Sequence, residues 1–98
     1  MTALMHADIT VGVIGDFTPS SETHRATNDA LQHAADLLSA TIKVAWIATP
    51  ELERTPADTV LREFDALWCA PASPYRSMIG ALEGIRFARE SGRPFFGT

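Results

Sequence analysis

Few side chains in this sequence are equipped for chemistry, and their spacing decides what they can do. Cys69 is the single cysteine, so it cannot close an internal disulfide. A thiolate there would be a nucleophile, but Cys69 lies within the apolar run Ala66-Leu-Trp-Cys-Ala70, where a buried, inert thiol is expected. His6, His24 and His33 have neither the i,i+4 spacing nor the glutamate partner of a metal-binding helix. All three are expected at the surface, and no metal site is predicted. Asp16, Ser20 and Ser21 stand in the loop GDFTPSS, where side-chain oxygens suit helix capping better than ligand contact. Arg76 opens a helix and could hold a carboxylate or phosphate. As a lone arginine it is expected to be an ion-pair partner. VGVIGDF is not a GxGxxG fingerprint and there is no Walker lysine, so neither NAD nor ATP binding is predicted, and no cofactor.

The elements that must position these residues are legible from periodicity. Ile9–Ile14 is β-branched and apolar with little alternation, which predicts a strand buried on both faces, as in a parallel sheet. Ser20 or Ser21 caps a helix running to about Ser39, with Glu22 in its first turn and Ala30, Leu31, Ala34, Leu37 and Leu38 at helical spacing. Ile42–Ile47 is the second strand. A loop with room for a single turn is expected at Thr49–Glu53. A short helix starting at Thr55-Pro56-Ala-Asp58 ends near Phe64. Ala66–Ala70 is the third strand. Ser77 opens the last helix, with Met78, Ala81, Leu82, Ile85 and Ala88 as its buried stripe. Gly80 and Gly84 allow close approach to a neighbour, and Gly92 is the stop. Pro94-Phe-Phe96 is the fourth strand. Trp46 and Trp68 are expected in the core or at an oligomer contact.

This β-α-β-(α)-β-α-β order predicts an α/β fold: a three-layer, doubly wound parallel sheet of the Rossmann-like or flavodoxin-like kind, truncated to about four strands. A ligand site in such sheets lies at the carboxyl ends of the strands, where strand order reverses. If the first and third strands are neighbours, the loops 15–21 and 70–77 meet there. Residues 1–8 read as a tail and 9–98 as one partial domain. The last strand would leave an open, apolar edge, so a homodimer or higher oligomer covering that edge is expected.

The bulk composition narrows the classes. The chain has 98 residues, 46% of them hydrophobic and 20% charged, with a net charge of −4. At this length folding buries only about 60–65% of the chain's surface. The basic residues are scattered, which argues against a nucleic-acid face. There is no apolar run near the ~20 residues of a membrane span and no signal-peptide pattern. A soluble, cytoplasmic protein without nucleic-acid or membrane partners is expected.

The last third, DALWCAPASPYRSMIGALEGIRFARESGRPFFGT, resembles the glutaminase domain of the CTP synthase family, which is of the class I glutamine amidotransferase type. That family reads approximately D-G-I-L-V-P-G-G-F-G-x-R-G-x-x-G-K-x-x-A-I-R-Y-A-R-E, then x-x-x-P-x-x-G-I-C. Asp65, Arg76, Gly80, Ile85, Arg86, Ala88, Arg89 and Glu90 match it, as do Pro94 and Gly97. In the front part Gly15, Ala30, Leu31, His33 and Ala34 fall in register with the family's first strand and E-A-L-x-H-A helix. KVAWIATPELE resembles its second strand. The resemblance covers about residues 9–98.

The resemblance implies glutamine amide hydrolysis in an intact parent, by thiolate attack on the carboxamide, proton transfer by histidine and hydrolysis of an acyl-enzyme. It places Pro71, Ala72 and Ser73 at the loop that lends a backbone N–H to the oxyanion. The family's glycines are replaced there, and Pro71 has no N–H to give. Gly97 and Thr98 lead toward the nucleophile position, which would follow Thr98. The cysteine, histidine and glutamate of the triad are then all missing, so this chain is expected to be inactive alone. One expectation for the break is a UGA codon for selenocysteine at the nucleophile position. A deliberate truncation, a frameshift or a cloning artefact are the others. The rival reading, in a different class, is a self-sufficient flavodoxin-like nucleoside- or nucleotide-binding module or a nucleoside deoxyribosyltransferase-like protein.

Overall fold

Alternate residues of the first strand face opposite sides, and both sides are apolar. A computed structural model describes residues 8–70 and 75–97, and it places β1 at Asp8–Ile14. Val11 and Val13 point to one face and pack with Leu31 and Ala70. Ile14 points to the other and packs with Leu52, Leu61, Leu67 and Ala88. Val13 and Ile14 are fully buried. This two-sided burial is what a β-branched run without alternation requires.

Three further strands join β1: β2 at Thr41–Ile47, β3 at Ala66–Cys69 and β4 at Phe95–Gly97. All pairings are parallel and the order is β2-β1-β3-β4. The predicted doubly wound α/β sheet is therefore present, with the strand order reversing between β1 and β3. β4 lies at the sheet edge, and Phe95 is 40% exposed.

Helix α1 (Glu22–Leu38) starts where the sequence places it. Ser21 Oγ accepts the His24 amide at 3.3 Å, and Glu22 lies in the first turn. It ends on Ser39, a non-glycine residue at φ 52°. The expected stripe is displaced. The buried positions are His24, Thr27, Leu31 and Ala35, while Leu37 and Leu38 stand out in solvent. Apolar spacing alone does not say which flank of a helix meets the sheet. Here α1 lies with its N-terminal half on Trp46 and leaves the leucines of its last turn uncovered.

The opposite face of the sheet carries α2 (Thr49–Arg54), α3 (Ala57–Leu61) and α4 (Met78–Ser91). The single turn expected at Thr49 is a full α-helix, with Pro50 in its first turn. Helix α4 also corrects its predicted stripe. Its buried residues are Gly80, Ala81, Gly84 and Ala88, whereas Met78 and Leu82 are more than half exposed. Close approach selects the small residues. A Cβ on Gly80 would stand 1.8 Å from the Thr49 carbonyl oxygen, and one on Gly84 2.7 Å from Ile14 Cδ1. Gly92 closes the helix at φ 71°, as predicted. No helix among the described residues is long and apolar enough to cross a membrane.

Candidate functional site

The strand order brings three loop starts together at the carboxyl ends of β2, β1 and β3. Gly15 N donates to Ile47 O and Ala70 N to Ile14 O, each at 3.0 Å. The backbone thus stays paired through Gly15 on the β2 flank and through Ile14 on the β3 flank, and the next residue, Asp16, emerges between the neighbouring strand ends.

The Asp16 carboxylate joins all three loops. Oδ1 accepts the Thr49 amide at 2.8 Å. Oδ2 accepts the Thr49 hydroxyl at 2.8 Å and the Arg76 amide at 2.9 Å. Thr49 is fully buried, and its Oγ1 in turn accepts the Ser77 amide at 2.8 Å. Ser77 Oγ donates to Glu53 at 2.8 Å and accepts the Gly80 amide at 2.9 Å, which caps α4. Partial burial pushes the Asp16 carboxyl up. The hydrogen bonds from Arg76 N–H and the Thr49 hydroxyl and N–H, with the Arg76 charge, outweigh it and hold the group below its ordinary 3.8. Asp16 is therefore a charged crosslink between the β1–α1, β2–α2 and β3–α4 junctions. Capping was expected of it, and it does receive the first amide of α2. The partner is not α1, which Ser21 caps.

Tyr75 ties the far side of the β3–α4 connection back to the sheet. Its hydroxyl donates to Ala70 O at 2.8 Å and lies 3.0 Å from Cys69 Sγ. Burial, then the Cys69 thiol and the Asp16 charge, raise its pKa well above the ordinary phenol value. Cys69 is buried, as expected for an inert thiol.

Beside Asp16 an aromatic cluster fills the mouth of the β1–α1 loop. The His24 ring lies 4.9 Å from the Trp46 ring, and Phe17 lies 5.0 Å from Trp46. His24 is 6% exposed, which overturns its expected surface position. Its Nδ1 accepts the Thr18 amide at 3.0 Å, so the neutral ring carries its proton on Nε2. Asn28 Oδ1 accepts the Trp46 indole N–H at 2.8 Å. His33 is exposed, as predicted; His6 lies outside the described residues.

Of the residues singled out on the family pattern, Pro71, Ala72, Ser73 and Thr98 lie outside the described residues. Gly97 is the last residue of β4, in register with Cys69. The loops expected to meet do meet, through Asp16 and Arg76. Arg76 is exposed, and its amide is what the carboxylate holds. The residues that sequence reasoning missed are His24, Asn28 and Thr49. Their signal was positional: His24, Thr27, Leu31 and Ala35 share one flank of α1, and Thr49 follows the last residue of β2 by two. Among the described residues no group of three or more His, Cys, Asp or Glu side chains could hold a metal ion.

No family model matches the chain. Among curated proteins it is similar to the CTP synthase of Synechocystis sp., 32% identical over 92 residues, covering 94% of this chain. It is similar also to the CTP synthases of Staphylococcus carnosus, 30% identical over 93 residues, and Clostridium acetobutylicum, 27% identical over 93 residues. In each case the chain spans 17% of the relative's length. The chain is thus related over nearly its whole length to one stretch of the CTP synthases.

Proposed function

We propose that this chain is the N-terminal part of a glutamine amidotransferase-type domain, whose intact form hydrolyses the glutamine side-chain amide. The observation that carries the proposal is the similarity to CTP synthases over 94% of the chain. The sheet order supports it by gathering the ends of β1, β3 and β4 on one side. The contribution of these residues is a scaffold. Asp16 and Thr49 fix the entry to α4, and Tyr75 and Ala70 fix the two flanks of residues 71–74, where the oxyanion N–H is proposed to lie. Glutamine is the proposed small-molecule substrate of the parent. The thiol nucleophile, its histidine and its glutamate are not supplied by this chain. Cys69 does not substitute for them, being buried within β3.

The test is ammonia release from glutamine by the purified 98-residue chain, and by the same residues within a polypeptide long enough to span the relatives' matching domain. The short chain is expected to give no turnover above buffer and the long one measurable hydrolysis. Turnover by the short chain would overturn the assignment of catalysis to residues outside it. An inactive but folded long form would overturn the amidotransferase reading itself.

A further inference from the structure

His24 takes no part in the Asp16–Thr49–Ser77 chain of hydrogen bonds, yet it is only 6% exposed. A polar ring buried that far needs a partner, and the partner is the Thr18 amide, which donates to Nδ1 at 3.0 Å. Among the described residues this is the one hydrogen bond that ties residues 17–20 to a helix or strand. The others, Ser21 N to Thr18 O and Thr18 Oγ1 to Asp16 O, run within the loop. The same ring carries the loop's apolar side chain. Phe17 stacks on it, with ring centres 6.0 Å apart and planes 23° apart, and both rings lie against Trp46 of β2.

We propose that His24 is a proton-operated latch on the β1–α1 loop: the neutral ring holds residues 17–20 against Trp46, and uptake of one proton by the ring releases them. An amide can donate to Nδ1 only while that nitrogen keeps its lone pair. The neutral ring carries its proton on Nε2, so the next proton must go to Nδ1 itself. Two N–H groups then face each other across the 3.0 Å contact, and the bond to Thr18 is lost. His24 is also the third residue of α1, in the turn where the helix dipole opposes an added positive charge.

The charged groups around the ring do not offset this. Asp16 belongs to the same loop, but its carboxylate is held by Thr49 and the Arg76 amide. Glu22 and Arg25 flank His24 on α1, opposite in charge and both exposed. Lys43 of β2 is in register with Thr10, on the other face of the sheet from Trp46. Among the described residues none of these is hydrogen-bonded or ion-paired to the ring. No carboxylate is therefore in place to accept the new N–H. Asp16 anchors one end of the loop and the Ser21 cap the other, so the part that opens is Phe17–Ser20. Phe17, already 41% exposed, then leaves Trp46 and uncovers the β1 side of the loop cluster. An imidazole takes up its proton between about pH 8 and pH 5. Asp16, held below 3.8, stays charged over that range, so the latch opens while the crosslink persists. The latch is independent of what the intact domain acts on.

NMR of the 98-residue chain from about pH 8 to pH 5 tests the latch. The His24 ring nitrogen shifts report protonation. Hydrogen exchange of the Thr18 amide, corrected for the intrinsic rate at each pH, reports the bond. As the ring is protonated, protection of Thr18 is expected to fall about tenfold, while the amides of β1 keep theirs. Asparagine places an oxygen near the Nδ1 position and does not titrate. His24→Asn should therefore hold the Thr18 protection constant across the range, and His24→Phe should lack it throughout. A ring that is protonated while Thr18 stays protected overturns the proposal. So does a ring that stays neutral until the whole chain unfolds, or an equal loss of protection in His24→Asn. The first two outcomes are read on the parent chain and decide the matter even if neither variant folds.

Discussion

Replacing Gly80 by alanine attacks the point where α4 touches the β2–α2 junction. The added Cβ would stand 1.8 Å from the Thr49 carbonyl oxygen, 2.8 Å from its carbon and 3.2 Å from Ser77 Oγ. The obstacle is backbone, so no rotamer change relieves it. The first turn of α4 must retreat by on the order of 1.5 Å to restore ordinary contact. That movement pulls apart two hydrogen bonds of 2.8 Å, Ser77 N to Thr49 Oγ1 and Ser77 Oγ to Glu53. Their loss costs about 1 kcal/mol each, and the overpacking about 1–3 kcal/mol. The better helix propensity of alanine returns about 1 kcal/mol. The net loss is about 2–4 kcal/mol, a drop in Tm of roughly 10–25 °C for a domain of this size. Thermal and urea unfolding by circular dichroism measure it, with two other glycines as references. Gly84→Ala meets side-chain tips, Ile14 Cδ1 at 2.7 Å and Leu52 Cδ1 at 3.0 Å, which can turn aside; about half the loss is expected. Gly92→Ala meets nothing within 4 Å but keeps φ at +71°, a cost of about 1 kcal/mol. If Gly80→Ala melts within about 2 °C of the parent, well inside the shift of 1 kcal/mol, the reasoning from close approach is refuted.

Two further outcomes follow from the site and the core. The Asp16 carboxyl titrates below its ordinary 3.8 in the folded chain, so its stabilisation is complete above pH 3.8 and is lost as pH falls through the lower folded value. Asp16→Asn should cost about 1–2 kcal/mol at pH 7, and the gap to the parent should narrow progressively in melts taken as the pH is lowered below 3.8. A gap that is constant with pH would mean that the charge is irrelevant. On α1, Leu31→Ala should cost about 2–4 kcal/mol and Leu37→Ala under about 0.5 kcal/mol. Equal losses in urea titrations would show that α1 faces the sheet as its bare apolar spacing suggested.

The order of elements was legible because each rests on a local signal. β1 has its β-branched run, α1 its Ser21 cap, α4 its Ser77 cap and Gly92 stop. The switch between β1 and β3 was legible only as one of the few parallel topologies that alternating strands and helices leave open. What followed only in part was which flank of each helix is buried: on α4 the burial of Ala81 and Ala88 and the close approach at Gly80 and Gly84 were legible, but Met78 and Leu82 were placed on the wrong side. Leucines mark a face when a helix packs at ordinary distance. α4 packs closer than that, so glycine and alanine mark its face and Met78 and Leu82 turn outward. On α1 the buried flank includes His24 and Thr27, polar residues whose partners, the Thr18 amide and the Thr23 carbonyl, appear only once the loop and helix are built. Asp16 was legible as a capping group but not as a crosslink, because Thr49 and Arg76 are 33 and 60 residues away in the chain.

The two faces of the sheet are held by different means, and this bears on where a site can be precise. The α2–α4 face is locked by contacts that tolerate little displacement: Gly80 on the Thr49 carbonyl, Gly84 on Ile14, and the Asp16–Thr49–Ser77 chain of hydrogen bonds. The α1 face is covered by one helix. A groove of about 200 Å³ remains open there, lined by Val11, Leu31, Trp68 and Phe95 among others. Parallel sheets need cover on both faces, so this groove is where additional apolar surface would add most stability. The residues that position the loop ends all belong to the locked side or to its rim. A catalytic arrangement completed from elsewhere would therefore meet a fixed entry to α4 and fixed ends of β1 and β3.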